Sequence, residues 1–203
     1  MSDRRTVHIV DDEDAIRRSA GFMLKTSGYA VNAYASGVEF LEKARDVEPG
    51  CVLLDVRMPG LDGLEVQAAM AERGVLMPVV VLTGHGDISI AVRAMKGGAV
   101  DFVEKPFEKA RLLEAIELAF ARLDDLDARA QHARDAAIIV AGLTPRERDV
   151  LRGMANGLPN KTIAFDLGIS PRTVEVHRAN LMAKLRVKSL SEALRIAFAA
   201  GMI

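Results

Sequence analysis

The stretch Cys51-Val52-Leu53-Leu54-Asp55-Val56-Arg57-Met58-Pro59-Gly60 decides the fold. Four apolar residues run into one carboxylate, and Pro-Gly turn chemistry follows. A short apolar run bounded by turn signals is the pattern of a strand buried on both faces. Asp55 then stands at the carboxyl end of that strand, the edge where open α/β sheets bind their ligands.

Working outward, residues 6–10 predict a strand ending at Asp11-Asp12, and a further strand surrounds Val31. Residues 79–83 predict another, ending on the Thr83 hydroxyl. Residues 101–104 predict a fifth, closed by Lys105-Pro106. Helical patterns separate them: residues 13–27, the segment marked by Val38-Phe40-Leu41, residues 64–73, residues 88–96, and a helix from near Glu108. Strands alternating with helices imply right-handed crossovers and a parallel, doubly wound sheet, complete by residue 121. Asp11, Asp12 and Asp55 then converge at adjacent strand ends, with Thr83 and Lys105 at two more. Singly, each has an ordinary explanation as a helix cap, a turn or a surface charge. Together at one edge they predict a site. Gly84-His85-Gly86 lacks P-loop spacing and reads as a flexible switch, and the four histidines show no metal-ligand spacing.

Charge is distributed unevenly over the 203 residues. Residues 1–121 carry 14 Lys and Arg against 19 Asp and Glu, a net of −5, whereas residues 143–203 carry 10 against 5, a net of +5. That asymmetry predicts two domains, the second suited to a polyanion. The lone cysteine, Cys51, excludes an intrachain disulfide and reads as a small buried hydrophobe. No apolar run approaches membrane-spanning length and residues 1–5 are polar, so a cytoplasmic protein without a leader is expected.

No Gly or Pro occurs between Phe107 and Ala141 to interrupt the helix that starts near Glu108, so it is expected to continue through a linker, residues 122–142. Ile116, Ala119, Leu123, Leu126, Ala130, Ala133, Ala137 and Val140 form a heptad seam, which suits either a weak coiled coil or an amphipathic helix lying on its own domain. Beyond Gly142 come capping boxes at Thr144 to Glu147 and Ser189 to Glu192, and a Ser170-Pro171 helix start. A short helix, a Gly-containing turn and a longer helix make a helix-turn-helix pattern over residues 143–203.

The motifs Asp11-Asp12, LLDVRMPGLDG around Asp55, VVVLTGHGD around Thr83 and DFVEKPF around Lys105 make residues 1–121 similar to the bacterial response-regulator receiver domain. The resemblance implies a flavodoxin-like fold in which Asp55 accepts a phosphoryl group from a sensor histidine kinase. It implies Mg²⁺ bound by Asp12, Asp55 and the Arg57 backbone carbonyl, with Asp11 acting through water. It further implies phosphate contacts from Lys105 and Thr83, an inward swing of Phe102, and a cis Lys105–Pro106 peptide. Residues 143–203, through LTPRERDVLRGMANGLPNKTIAFDLGISPRTVEVHRANLMAKL, resemble the DNA-binding domain of LuxR-type regulators. The whole chain resembles the NarL/FixJ family, nearest its FixJ branch.

On that resemblance the recognition helix covers residues 171–185. Arg172, Thr173, Glu175, Val176 and His177 are expected to reach base edges, and Arg178 a base or a phosphate. Lys161, Thr162 and Lys184 are expected on phosphates. Glu175 is expected either to read a base or to pair with Arg178. Operator DNA, RNA polymerase and, on phosphorylation, a second copy of the chain are the implied partners. Two rival readings are a phosphohydrolase of the haloacid dehalogenase kind and a phosphorylation-dependent protein-binding module. The first expects an aspartate two residues after the nucleophile, where Arg57 stands; the basic C-terminus opposes the second.

Overall fold

A computed structural model describes residues 5–84 and 88–202. The expectations for residues 1–4 and for His85-Gly86 lie outside them. The chain forms two compact units, Met1–Asp125 and Leu126–Ile203.

In the first unit, strands β1 (Thr6–Val10), β2 (Ala30–Tyr34), β3 (Gly50–Asp55), β4 (Val79–Thr83) and β5 (Asp101–Glu104) alternate with helices α1 (Asp14–Thr26), α2 (Gly37–Lys43), α3 (Gly63–Glu72) and α4 (Ile88–Lys96). The sheet is parallel throughout, in the order β2-β1-β3-β4-β5. Every residue of β1, β3 and β4 is buried, whereas β2 and β5, at the edges, are partly exposed. The period-two alternation of side chains divides β3 between two cores. Cys51 and Leu53 pack with Ala20 and Leu24 of α1 and with Leu112, Ile116 and Phe120. Val52 and Leu54 pack with Phe40, Val66, Met70 and Ala94 on the other face. The apolar run of β3 thus serves both layers. Burial also pushes the Cys51 thiol pKa up.

Helix α5 is continuous over Lys109–Ala141. The heptad seam is shared out along it. Ile116 and Ala119 lie in the core of the first unit with Leu123 packed against it, while Val140 belongs to the core of the second unit. Only the middle of the seam, with Ala130 and Ala137 exposed, is uncommitted to either core.

The second unit adds α6 (Pro145–Ala155), α7 (Asn160–Leu167), α8 (Pro171–Leu185) and α9 (Leu190–Ala199). Both expected capping boxes form, and the Ser170 hydroxyl accepts from the Thr173 amide. A third box, Asp62 with Glu65, starts α3 at Gly63, one residue before the expected start. Gly168 ends α7 in the left-handed conformation (φ 65°), which a side chain resists. Val150, Leu151, Ile163, Val174, Leu181 and Leu185 form the core of this unit. Among the described residues, no helix is long and apolar enough to cross a membrane.

One buried polar group was not anticipated. His8, on β1, is fully buried beside the rings of Tyr34 and Phe40. Its Nε2 lies 2.9 Å from the Glu48 carbonyl oxygen, which calls for a protonated Nε2 in the neutral ring. Burial holds the His8 pKa below its ordinary value, against the opposing pull of Glu48. Above pH ~6.5, His8 is neutral in the folded and unfolded chain alike. As pH falls below that value the unfolded state takes up a proton that the folded state resists, and stability is lost down to the folded pKa. Urea unfolding should therefore show a decline between pH 7.5 and 5.5 with a slope of at most about 1.4 kcal/mol per pH unit from this group. His8→Gln should flatten that part of the profile; an unchanged slope would assign it elsewhere.

Candidate functional site

Three strand ends build the acidic edge. Asp11 follows β1 and is fully buried; Asp55 ends β3 and is 4 % exposed; Asp12 lies exposed at the rim. One carboxylate oxygen from each lies within 4.8 Å of the others. Hard oxygen donors at that spacing suit a small divalent cation, which takes one or two carboxylates together with water and phosphate oxygens.

Lys105, just past β5, reaches across to this cluster. Its Nζ lies 2.7 Å from Asp11 Oδ2, 3.0 Å from Asp55 Oδ1 and 3.5 Å from Glu13 Oε1. The Lys105–Pro106 peptide is cis, as expected. Burial pushes the Asp55 carboxyl pKa above its ordinary value; the Lys105 hydrogen bond pulls it down, and Asp11 and Asp12 push it further up. For Lys105, burial acts to lower the pKa, but its bonds to Asp11 and Asp55 outweigh that and raise it. Thr83 is buried at the end of β4, and its carbonyl accepts the Lys105 amide at 2.8 Å. Phe102 is partly buried on β5 against the core on the α2–α4 face. Arg57 follows β3 in the adjoining loop.

Sequence reasoning missed three supports of this edge. Arg17 Nη1 donates to the Asp11 carbonyl at 2.7 Å. The Glu13 amide donates to Asp11 Oδ1 at 2.8 Å, fixing that carboxylate. Gly63 donates its amide to the Val56 carbonyl at 2.9 Å, and a Cβ there would stand 2.3 Å from the Asp55 carbonyl oxygen. The LDG sequence after the Pro-Gly turn was the available signal.

In the second unit, Arg172, Glu175 and Val176 are exposed on α8, and Thr173 and His177 are half-buried. Lys161 and Thr162 are exposed on α7. Two of the expected DNA contacts are already engaged. Arg178 Nη1 donates to Asn160 Oδ1 at 2.6 Å, so the pairing of Arg178 with Glu175 gives way to a tie between α8 and α7. Arg178 falls on the inward stripe with Val174, Leu181 and Leu185, which is why it faces a neighbouring helix. Lys184 Nζ donates to Glu147 Oε2 at 2.7 Å.

These two arrangements agree with what the chain is similar to. Residues 7–117 match the family model of the response regulator receiver domain, and residues 141–197 that of the bacterial regulatory proteins of the luxR family. The transcriptional regulatory protein FixJ of Rhizobium meliloti is 50 % identical over 196 residues, covering 97 % of this chain and 96 % of that protein. FixJ of Azorhizobium caulinodans is 47 % identical over 201 residues, covering 99 % and 95 %. The crystal structure of full-length FixJ from B. japonicum aligns with a TM-score of 0.61 at 45 % identity, covering 98 % of each chain.

The close approach at Gly63 is directly testable. In Gly63→Ala the added Cβ meets backbone atoms of Asp55 and Val56 at 2.3 and 2.8 Å, so either α3 or the end of β3 must shift. Urea unfolding should report a loss of about 1–3 kcal/mol. Stability equal to the parent protein would show that the α3 start gives way freely.

Proposed function

The chain belongs to the response regulators, with a receiver domain followed by a luxR-family DNA-binding domain, and on that premise we propose that phosphorylation of Asp55 by a sensor histidine kinase switches its dimerisation and its binding to operator DNA. The observation that carries this reading is the buried Asp55 carboxylate, set 3.0 Å from Lys105 and among the oxygens of Asp11 and Asp12. In the transfer, an Asp55 oxygen attacks phosphorus, the bond from phosphorus to the kinase imidazole nitrogen breaks, and an acyl phosphate forms.

Mg²⁺ fits the donor set: Asp12, Asp55 and the Arg57 carbonyl would hold it directly and Asp11 through water, and it would neutralise phosphoryl charge that three carboxylates otherwise repel. The chain's own residues do the rest. Lys105 exchanges part of its carboxylate contact for a phosphate oxygen, a charge-assisted bond of comparable geometry. The Thr83 hydroxyl donates to a second oxygen, and Phe102 moves inward behind it. The receiver in this way assists its own phosphorylation and dephosphorylation without being an enzyme acting on a separate substrate.

Val92 and Met95 are 48 % and 42 % exposed on α4 and support a dimer face made by Ile88–Lys96 with Asp101–Glu104. A two-fold dimer reads half-sites about one helical turn apart. Within each copy, Arg172, Thr173, Glu175, Val176 and His177 would address base edges. Lys161 and Thr162 would hold phosphates, and Arg178 keeps donors beyond the one given to Asn160. Residues 1–121, 122–142 and 143–203 serve as receiver, linker and DNA-binding domain of a cytoplasmic regulator that acts on RNA polymerase.

Treatment with acetyl phosphate and Mg²⁺ should add one phosphoryl mass, acid-stable and released by base or hydroxylamine, and Asp55→Asn should abolish it. An Asp55→Asn protein phosphorylated at the parent rate would sink the assignment. Sedimentation should show the phosphorylated protein as a dimer and the unphosphorylated protein as a monomer; equal mass in both states would remove dimerisation from the switch.

A further inference from the structure

The depth at which α8 sits is set by Val174, Leu181 and Leu185, all buried. These residues hold the buried stripe of the helix against the core, and directional contacts narrow its rotation and sliding further. One is the Arg178 to Asn160 bond at the middle of α8. Another lies in its last turn, where Lys184 meets Glu147.

Glu147 is only 3 % exposed. Its Oε2 accepts both the Thr144 amide at 2.8 Å and Lys184 Nζ at 2.7 Å, while its own amide donates to the Thr144 hydroxyl at 3.3 Å. One buried carboxylate oxygen therefore joins the first turn of α6 to the last turn of α8. Each charge also sits at the favourable end of its own helix, the anion at an N-terminus and the cation at a C-terminus. Burial would push the Glu147 pKa up, but the bonds from Lys184 and Thr144 hold it below the ordinary carboxylate value.

The position of Lys184 on the helix allows this contact. At 3.6 residues per turn it lies about a quarter-turn from the buried stripe and about a quarter-turn from Val176 on the exposed face. It shares this flank with Thr173 and His177, which lie nearer the start of the helix, and its ammonium is turned toward α6 by Glu147. To grip a DNA phosphate, its ammonium would have to compete with a carboxylate that has been removed from water, and withdrawing a buried charge's partner is strongly unfavourable.

We propose that Lys184 is a positioning residue: through Glu147 it fixes the rotation of α8 that presents Arg172, Thr173, Glu175, Val176 and His177 to base edges, and it does not act as a phosphate ligand. The inference rests on reading α8 as the helix that enters the major groove.

The two roles predict opposite results in the phosphorylated full-length protein. Binding is measured by fluorescence anisotropy over a NaCl series, to an operator duplex obtained by random-site selection and to a scrambled duplex. As a positioning residue, Lys184→Met should reduce the operator-to-scrambled affinity ratio about tenfold, the scale of one lost base contact. The slope of log affinity against log salt should not change. Glu147→Gln should reproduce that loss, the double variant should be no worse than either single one, and Lys184→Arg should restore the ratio. A phosphate ligand behaves otherwise. Lys184→Met would then weaken both duplexes alike and lower the salt slope by about 0.9, and Glu147→Gln would leave binding unchanged or strengthen it. That outcome overturns the proposal, as does an unchanged ratio in both single variants. If Lys184→Met does not fold, Lys184→Gln keeps a donor for Glu147 and is judged by the same slope. Arg172→Ala serves as the control on the premise. A ratio untouched by Arg172→Ala would remove the reading of α8 itself, which is a separate failure.

Discussion

One ammonium between two carboxylates governs the first unit. Asp11 and Asp55 are both removed from water, a placement that isolated carboxylates do not tolerate. The Lys105 Nζ touches both, and the strand order is what allows it. Because β1 and β3 are neighbours, their terminal aspartates stand side by side, and β5 brings the lysine to the same edge from beyond β4. The balance is poised: burial raises the Asp55 pKa while Lys105 opposes it. A site held in this way responds to any group that redistributes charge between the lysine and the carboxylates, and a phosphoryl group with a divalent cation does so directly.

The parts of the fold that were readable in the sequence are those encoded locally. The strand at residues 50–55 announced itself by an apolar run ending in turn chemistry, and its parity between two cores follows from period two alone. Thr144, Ser170 and Ser189 each carry their cap partner three residues away, so those helix starts were legible. The Asp62 to Glu65 box has the same grammar, but Gly63 within it and the Pro59-Gly60 turn before it read as loop. Asp11, Asp12, Asp55, Thr83 and Lys105 were legible at one sheet edge because each ends a strand or lies within two residues of its end.

What remained hidden depends on distance along the chain. Lys184 looks like any cation on a recognition helix, and nothing near it in sequence reveals that Glu147, 37 positions earlier, is buried beneath it. The heptad seam is real in its spacing, yet spacing cannot tell which surface a stripe covers, and here its ends close the cores of two separate units. His8 sits in an alternating strand like its neighbours; that it needs the Glu48 carbonyl becomes visible only once the chain before β3 has folded back on it.

The solitary cysteine carries a consequence for experiment. Cys51 lies on the central strand with no exposed surface, and burial keeps its thiol protonated. Alkylating reagents attack the thiolate of an accessible cysteine, so reaction at Cys51 requires the middle of the sheet to open. With one thiol per chain, the rate of its modification in native buffer is a site-specific clock for that opening. It needs no engineered label, and it reads the strand that ends in Asp55.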